Sequence, residues 1–109
     1  FFERARTEWL RACGVHQQAL REQTGGQFVV SEASVRYHRP ARLDDSLVVT
    51  AELVEGGRAS LLIRQRALRR PPTGAAELLC EALVRAGWVD ALTLRPTRIP
   101  PPVLEALRS

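Results

Sequence analysis

The sequence predicts an α+β fold, an antiparallel sheet wrapped around a helix, and three observations carry that expectation. Apolar residues recur at helical spacing in the first segment, at Phe2, Ala5, Trp9 and Cys13, with Phe1, Leu10 and Ala12 widening the stripe. From Gln27 the apolar period drops to two, the spacing of strands with one covered face. Turn-forming clusters divide that region into four strands, and a chain of 109 residues is long enough for one core but not two.

The first helix is expected to stop at Gly14, a residue suited to a helix C-terminus. His16 to Gln23 reads as a short second helix, closed by Thr24-Gly25-Gly26. Gln27 to Tyr37 is the first strand, and Arg39 to Asp45 the loop after it, with Asp44 and Asp45 bonding local backbone. Ser46 to Glu55 is the second strand. Gly56-Gly57 follows as a tight hairpin signal, which is expected to need positive φ. Ala59 to Arg69 returns with Leu61, Ile63 and Ala67 on one face and Leu62, Arg64, Arg66 and Leu68 on the other. Pro71 to Gly74 is a second turn. The run Ala76 to Ala91 has the length of a helix, but it follows two hairpin-linked strands and contains Gly87, so it reads as a strand. Pro100 to Leu107 is a short helix entered through prolines. The strands are expected to form a meander covered by the first helix, the longest one.

Composition narrows the function classes. The apolar fraction of 45% and charged fraction of 26% are ordinary for a soluble globular domain, and no window has the apolar length of a bilayer span. Cys13 and Cys80 sit inside apolar periodic segments and read as reduced buried thiols, which makes the cytoplasm the default compartment. The net charge is +4 and all 16 basic residues are Arg. Arg offers planar, bidentate recognition of phosphate or carboxylate, so an anionic ligand or an acidic partner fits the balance. Cys13, His16, His38 and Cys80 make no metal-ligand spacing, so no metal is expected. Arg64, Arg66, Arg69 and Arg70 form a basic stripe without interleaved aromatics, which argues against a nucleic-acid platform. The stripe reads as a solvated face or a docking site for an acidic partner.

Several stretches in order carry a resemblance. They are Phe1 to Leu10 (Phe-Phe-Glu-Arg-Ala-Arg-Thr-Glu-Trp-Leu), Phe28-Val29-Val30, and Arg39 to Asp45. Gly57 to Leu61, Arg64-Gln65-Arg66, Val89-Asp90-Ala91 and Arg95 to Pro100 follow. Together they resemble the hotdog fold, and more narrowly the acyl-CoA thioesterases of the 4-hydroxybenzoyl-CoA thioesterase type in the branch associated with the Tol–Pal system. The resemblance implies hydrolysis of a fatty or short-chain acyl-CoA at a subunit interface, in a homodimer or homotetramer. Coenzyme A enters as part of the substrate, with no separate cofactor. Family members carry a strand and a Tyr-x-Asp-Thr-Asp-type loop ahead of the long helix, the loop Asp being the expected nucleophile or base. Here the helix is already under way at Phe1, with no capping residue and no Met. The domain is therefore expected to be N-terminally incomplete, with no catalytic residue in this chain and little activity from it alone. The stretch Arg85 to Trp88 also departs from the family's usual aliphatic or Cys character.

Thioester hydrolysis needs one placed carboxylate and oxyanion donors, so the absence of a nucleophile-elbow motif around Ser60 is no obstacle. By the resemblance, Arg58 beside Gly56-Gly57 is the candidate for the nucleotide phosphates, with Arg95 and Arg98 as further candidates and Ser60 as a channel-lining residue. Exposed, unspecific charges and a solvated strand serine are the competing readings. Glu8 is a carboxylate on the long helix but falls off its apolar stripe. The rival function is a non-catalytic module that docks acyl carrier protein or another acidic partner through the Arg-rich strand.

Overall fold

The computed structural model describes residues 2–40, 46–70 and 74–108. The chain runs α1 (Phe2–Ala12), α2 (Gln17–Thr24), β1 (Gly26–Tyr37), β2 (Leu47–Gly56), β3 (Ser60–Arg69), β4 (Glu77–Asp90) and α3 (Pro101–Arg108). Every expected element forms, and the long run 77–90 is a strand. The expectations placed on Phe1, on Asp44 and Asp45, and on Pro71 to Thr73 lie outside the described residues.

All strand pairs are antiparallel, in the order β1-β4-β3-β2. The expected meander holds for β2, β3 and β4 only. β1 pairs with β4, Phe28 opposite Trp88 and Val35 opposite Ala82, so the first strand lies at the far side from the second. The physical reason is the connection: residues 38–46 separate β1 from β2, too many for a tight hairpin, whereas Gly56 to Ser60 turns β2 directly into β3.

The hairpin glycines are used differently from expectation. Neither Gly56 nor Gly57 has positive φ. Gly56 instead lies against α3: a Cβ there would sit 2.8 Å from Leu104 Cδ1, so that side chain would have to shift.

One face of the sheet carries the core. Leu61 and Ile63 of β3 and Ala86 and Trp88 of β4 pack with Leu10, Val15, Ile99, Val103 and Leu107. Burial of such side chains contributes about 1.5–3 kcal/mol each. The cover is shared, contrary to the expectation of one long buried helix: α1 buries only Leu10, and α3 adds Val103 and Leu107. Trp88 fills the departing stretch of β4 by an edge-on contact with Phe28, ring centroids 4.8 Å apart.

The opposite face mixes Leu62, Leu68 and Leu83 with ion-paired side chains. There Arg64 and Arg66 reach Glu52 at 3.4 and 3.8 Å and Arg66 also reaches Glu81 at 4.0 Å, while Arg69, which alternates onto the side of Ile63 and Ala67, reaches Glu77 at 3.3 Å. The basic stripe is thus countered by glutamates on β2 and β4, leaving little net charge there to attract an acidic partner. Individually such surface pairs are worth about 0–1 kcal/mol.

Candidate functional site

The hairpin between β2 and β3 is held from two sides by backbone bonds. Gly57 N–H donates to Ser60 O at 2.8 Å, Trp88 N–H to Ala59 O at 2.8 Å, and Ile99 N–H to Arg58 O at 2.8 Å. The last bond sets Arg58 and Arg98 at the mouth of one cleft. α3 closes the opposite side, where Arg108 Nη2 donates to Gly56 O at 3.1 Å. The resulting cleft has a volume of about 680 Å³ and is lined by Gly56, Arg58, Arg98, Leu104, Glu105 and Arg108 among others. Three guanidiniums face one carboxylate around an open, mixed surface. Arg forks match phosphate oxygens bidentately, so this arrangement suits a phosphorylated ligand.

Of the residues singled out from sequence, the structure brings Arg58 and Arg98 together. Arg95 is exposed on the preceding turn and lines neither this cleft nor the cavity beneath α1. Ser60 also lines neither of them: its Oγ accepts a 3.2 Å hydrogen bond from Arg85 Nη1. Arg108 was not anticipated. Its signal was present in the helical spacing from Leu104, which puts the two residues on one face of α3.

That second cavity, of about 310 Å³, lies between α1 and the sheet. Leu10, Phe28, Ile63 and Ala86 supply its apolar side, while Glu3, Arg6 and Thr7 from the first turns of α1 supply a polar wall. This wall is anchored from beneath by Gln65, which is fully buried. Gln65 Nε2 donates to Phe2 O at 2.8 Å, and Gln65 Oε1 accepts from Arg6 Nη1 at 2.8 Å. Burial pulls the Arg6 guanidinium below the ordinary arginine range, and Glu3 opposes that shift. Glu8 points elsewhere: it is exposed and pairs with Arg4 at 3.3 Å. Cys13 and Cys80 are free thiols, and burial raises the Cys80 thiol. No helix of the described residues is long and apolar enough to cross a membrane.

A four-stranded antiparallel sheet with helices on its core face is the arrangement of the hotdog fold. The chain belongs to the thioesterase-like superfamily, whose family model it matches over residues 1–107. It is 38% identical over 106 residues to the acyl-CoA thioesterase YbgC of Haemophilus influenzae, covering 97% of this chain and 74% of that relative. Among solved structures it is similar to a thioesterase from Thermus thermophilus complexed with coenzyme A and Zn. That match has TM-score 0.76 and 26% identity, covering 98% of this chain and 72% of the other. The fold is also that of a 4-hydroxybenzoyl CoA thioesterase mutant complexed with 4-hydroxybenzoyl CoA, with TM-score 0.88 at 20% identity and coverage of 96% and 78%.

Proposed function

We propose that this protein is an acyl-CoA thioesterase that hydrolyses fatty or short-chain acyl-CoA. The observation that carries the reading is the meeting of Arg58, Arg98 and Arg108 around one cleft, in a chain whose relatives include an acyl-CoA thioesterase and a thioesterase complexed with coenzyme A. In this reading the arginine cleft takes the nucleotide phosphates of coenzyme A. The apolar side of the cavity beneath α1 takes the acyl group, and no resident cofactor or metal is needed. The similarity to YbgC is consistent with the Tol–Pal-associated branch.

The family resemblance assigns the activating carboxylate to an Asp ahead of Phe1, and this reading keeps that assignment. Glu8 is solvent-facing and ion-paired. Glu3 is the described carboxylate that lines the acyl cavity, and it is the residue to test against the assignment.

The protein acts as a homodimer or homotetramer in this proposal. β1 is a 12-residue strand with one unpaired edge, and Val30, Val35 and Tyr37 on it are 49%, 42% and 79% exposed. Long edges of that kind are ordinarily covered, here by a second copy. Two free thiols fit a reducing compartment, and we place the protein in the cytoplasm. Docking of acyl carrier protein through the Arg-rich strand is the weaker reading, because that stripe is countered by Glu52, Glu77 and Glu81.

The test is steady-state hydrolysis of matched acyl-CoA and acyl-pantetheine thioesters by the intact protein. Arg58→Ala is expected to raise KM for acyl-CoA about tenfold, the loss of one charge-assisted contact, with kcat little changed. The same variant leaves KM for acyl-pantetheine unaltered. An unchanged KM for acyl-CoA, or equal losses on both substrates, overturns the assignment of the cleft to the phosphates.

A further inference from the structure

We propose that Asp90 is a positioning residue for the arginine cleft: by closing the turn at the end of β4 it sets the register in which residues 95–99 return, and so holds Arg98 beside Arg58. The inference rests on reading that cleft as the phosphate subsite.

The returning segment is stitched to its neighbours in sequence order. Asp90 N–H donates to Arg95 O at 2.9 Å, Val89 bridges Pro96, Thr97 N–H donates to Trp88 O at 3.0 Å, and Ile99 N–H reaches Arg58 O. Side chains on an extended path alternate between faces, so a slip of one residue turns Arg98 away from Arg58. What decides the register is therefore the length and shape of the turn between Asp90 and Arg95.

That turn holds its shape with little packing. Leu92 is 92% exposed and Leu94 is 61% exposed. Leu94 also has φ of 60°, in the left-handed region that disfavours residues with a Cβ. A strained residue without burial persists only if its neighbours fix it. Asp90 supplies most of that fixing. Its Oδ1 accepts from Leu92 N–H and Thr93 N–H, both at 2.9 Å, and its carbonyl accepts from Leu94 N–H at 2.8 Å. Thr93 Oγ1 accepts a 3.3 Å bond from Arg95 N–H, and Ala91 N–H donates to Gly25 O at 2.8 Å. Removal of the Asp90 carboxylate frees two amides and leaves Leu94 to relax out of the left-handed region. The start of the returning segment moves with it.

The chemistry of the turn offers two rescues. Asn keeps an Oδ1 acceptor at position 90. Glycine at position 94 adopts positive φ without strain, so the turn then has less need of the Asp90 bonds.

The experiment is calorimetric titration of the intact protein with adenosine 3′,5′-bisphosphate, the phosphate-bearing end of coenzyme A, beside KM measurements on acyl-CoA and acyl-pantetheine. Asp90→Ala is expected to weaken the nucleotide and raise KM for acyl-CoA about fivefold, with kcat and KM for acyl-pantetheine unchanged. Asp90→Asn and the double variant Asp90→Ala with Leu94→Gly both recover most of the loss. The inference is overturned if Arg58→Ala weakens the nucleotide while Asp90→Ala does not, or if Asp90→Ala harms both thioesters equally. It is also overturned if the Leu94→Gly background restores nothing. Should Asp90→Ala not fold, the same comparison is made with Asp90→Ser, whose shorter side chain reaches one amide at best. If neither Arg58→Ala nor Arg98→Ala affects the nucleotide, the phosphate reading itself fails, and the role of Asp90 with it.

Discussion

Replacing Gln65 with Leu keeps the volume of a fully buried side chain and deletes both of its hydrogen bonds. The bond to Phe2 O is neutral, and losing such a bond costs about 1 kcal/mol. The bond from Arg6 is charge-assisted, worth about 1.5–3 kcal/mol where the partner stays buried. Arg6 is only partly covered and can turn toward water, so roughly 1 kcal/mol of that remains. The expected loss is about 2 kcal/mol, or a fall in Tm of roughly 8–16 °C for a domain of this size. Urea unfolding is the assay, with Arg6→Leu and the double variant completing a cycle. The midpoint should fall at unchanged m, and the two sites should couple by about 1 kcal/mol. A loss below about 0.5 kcal/mol, or strict additivity of the two substitutions, would refute the idea that Gln65 ties α1 to the sheet through Arg6.

Three further outcomes are expected. Gly26→Ala destabilises by about 1–3 kcal/mol with a changed near-ultraviolet Trp signal, because the new Cβ would lie 2.6 Å from Trp88 Nε1 in the core. Glu3→Gln leaves kcat within about twofold in the intact enzyme; a loss of a hundredfold or more would move the general base onto α1. Asp90 is held below the ordinary carboxylate range by the Thr93 and Leu92 amides, so its contribution is present above the unfolded value and lost as pH falls through the lowered folded value. The stability gap between wild type and Asp90→Asn should accordingly narrow in acid titrations, and a gap that widened there would contradict this linkage.

The period-two pattern from Gln27 and the glycine hairpin made two of the three strand pairings legible, β2 with β3 and β3 with β4, since a short turn leaves the chain nowhere else to pair. The place of β1 was not legible, because a connection spanning residues 38–46 puts no geometric limit on which edge it reaches. Arg58 and Arg98 were found through family resemblance, and their proximity depends on the Ile99–Arg58 backbone bond, which no local pattern reports. Gln65 shows a signal passed over. It shares the alternation of Leu61, Ile63 and Ala67, so a polar residue stood on the apolar face and called for buried partners. Arg108 was missed because the expected helix, Pro100 to Leu107, stopped one residue short of it.

The two cavities differ in how they are attached to the fold, and that difference bears on how each can change. The arginine cleft is assembled by main-chain bonds: Gly57 to Ser60, Trp88 to Ala59 and Ile99 to Arg58. The Arg58 and Arg98 guanidiniums stand outside the core, so substituting either alters charge toward a ligand while the scaffold keeps its register; Arg108 also ties α3 to Gly56 O. The cavity under α1 is built the other way. Its floor is Leu61, Ile63 and Ala86, each a member of the buried core, and its polar wall rests on the Gln65 side chain. A change there removes packing or leaves a buried polar group unpaired, either of which is felt as stability. Under the proposed function, recognition of the phosphates at Arg58 and Arg98 is thus free to vary at little risk to folding, whereas the space proposed for the acyl group is tied to the stability of the domain.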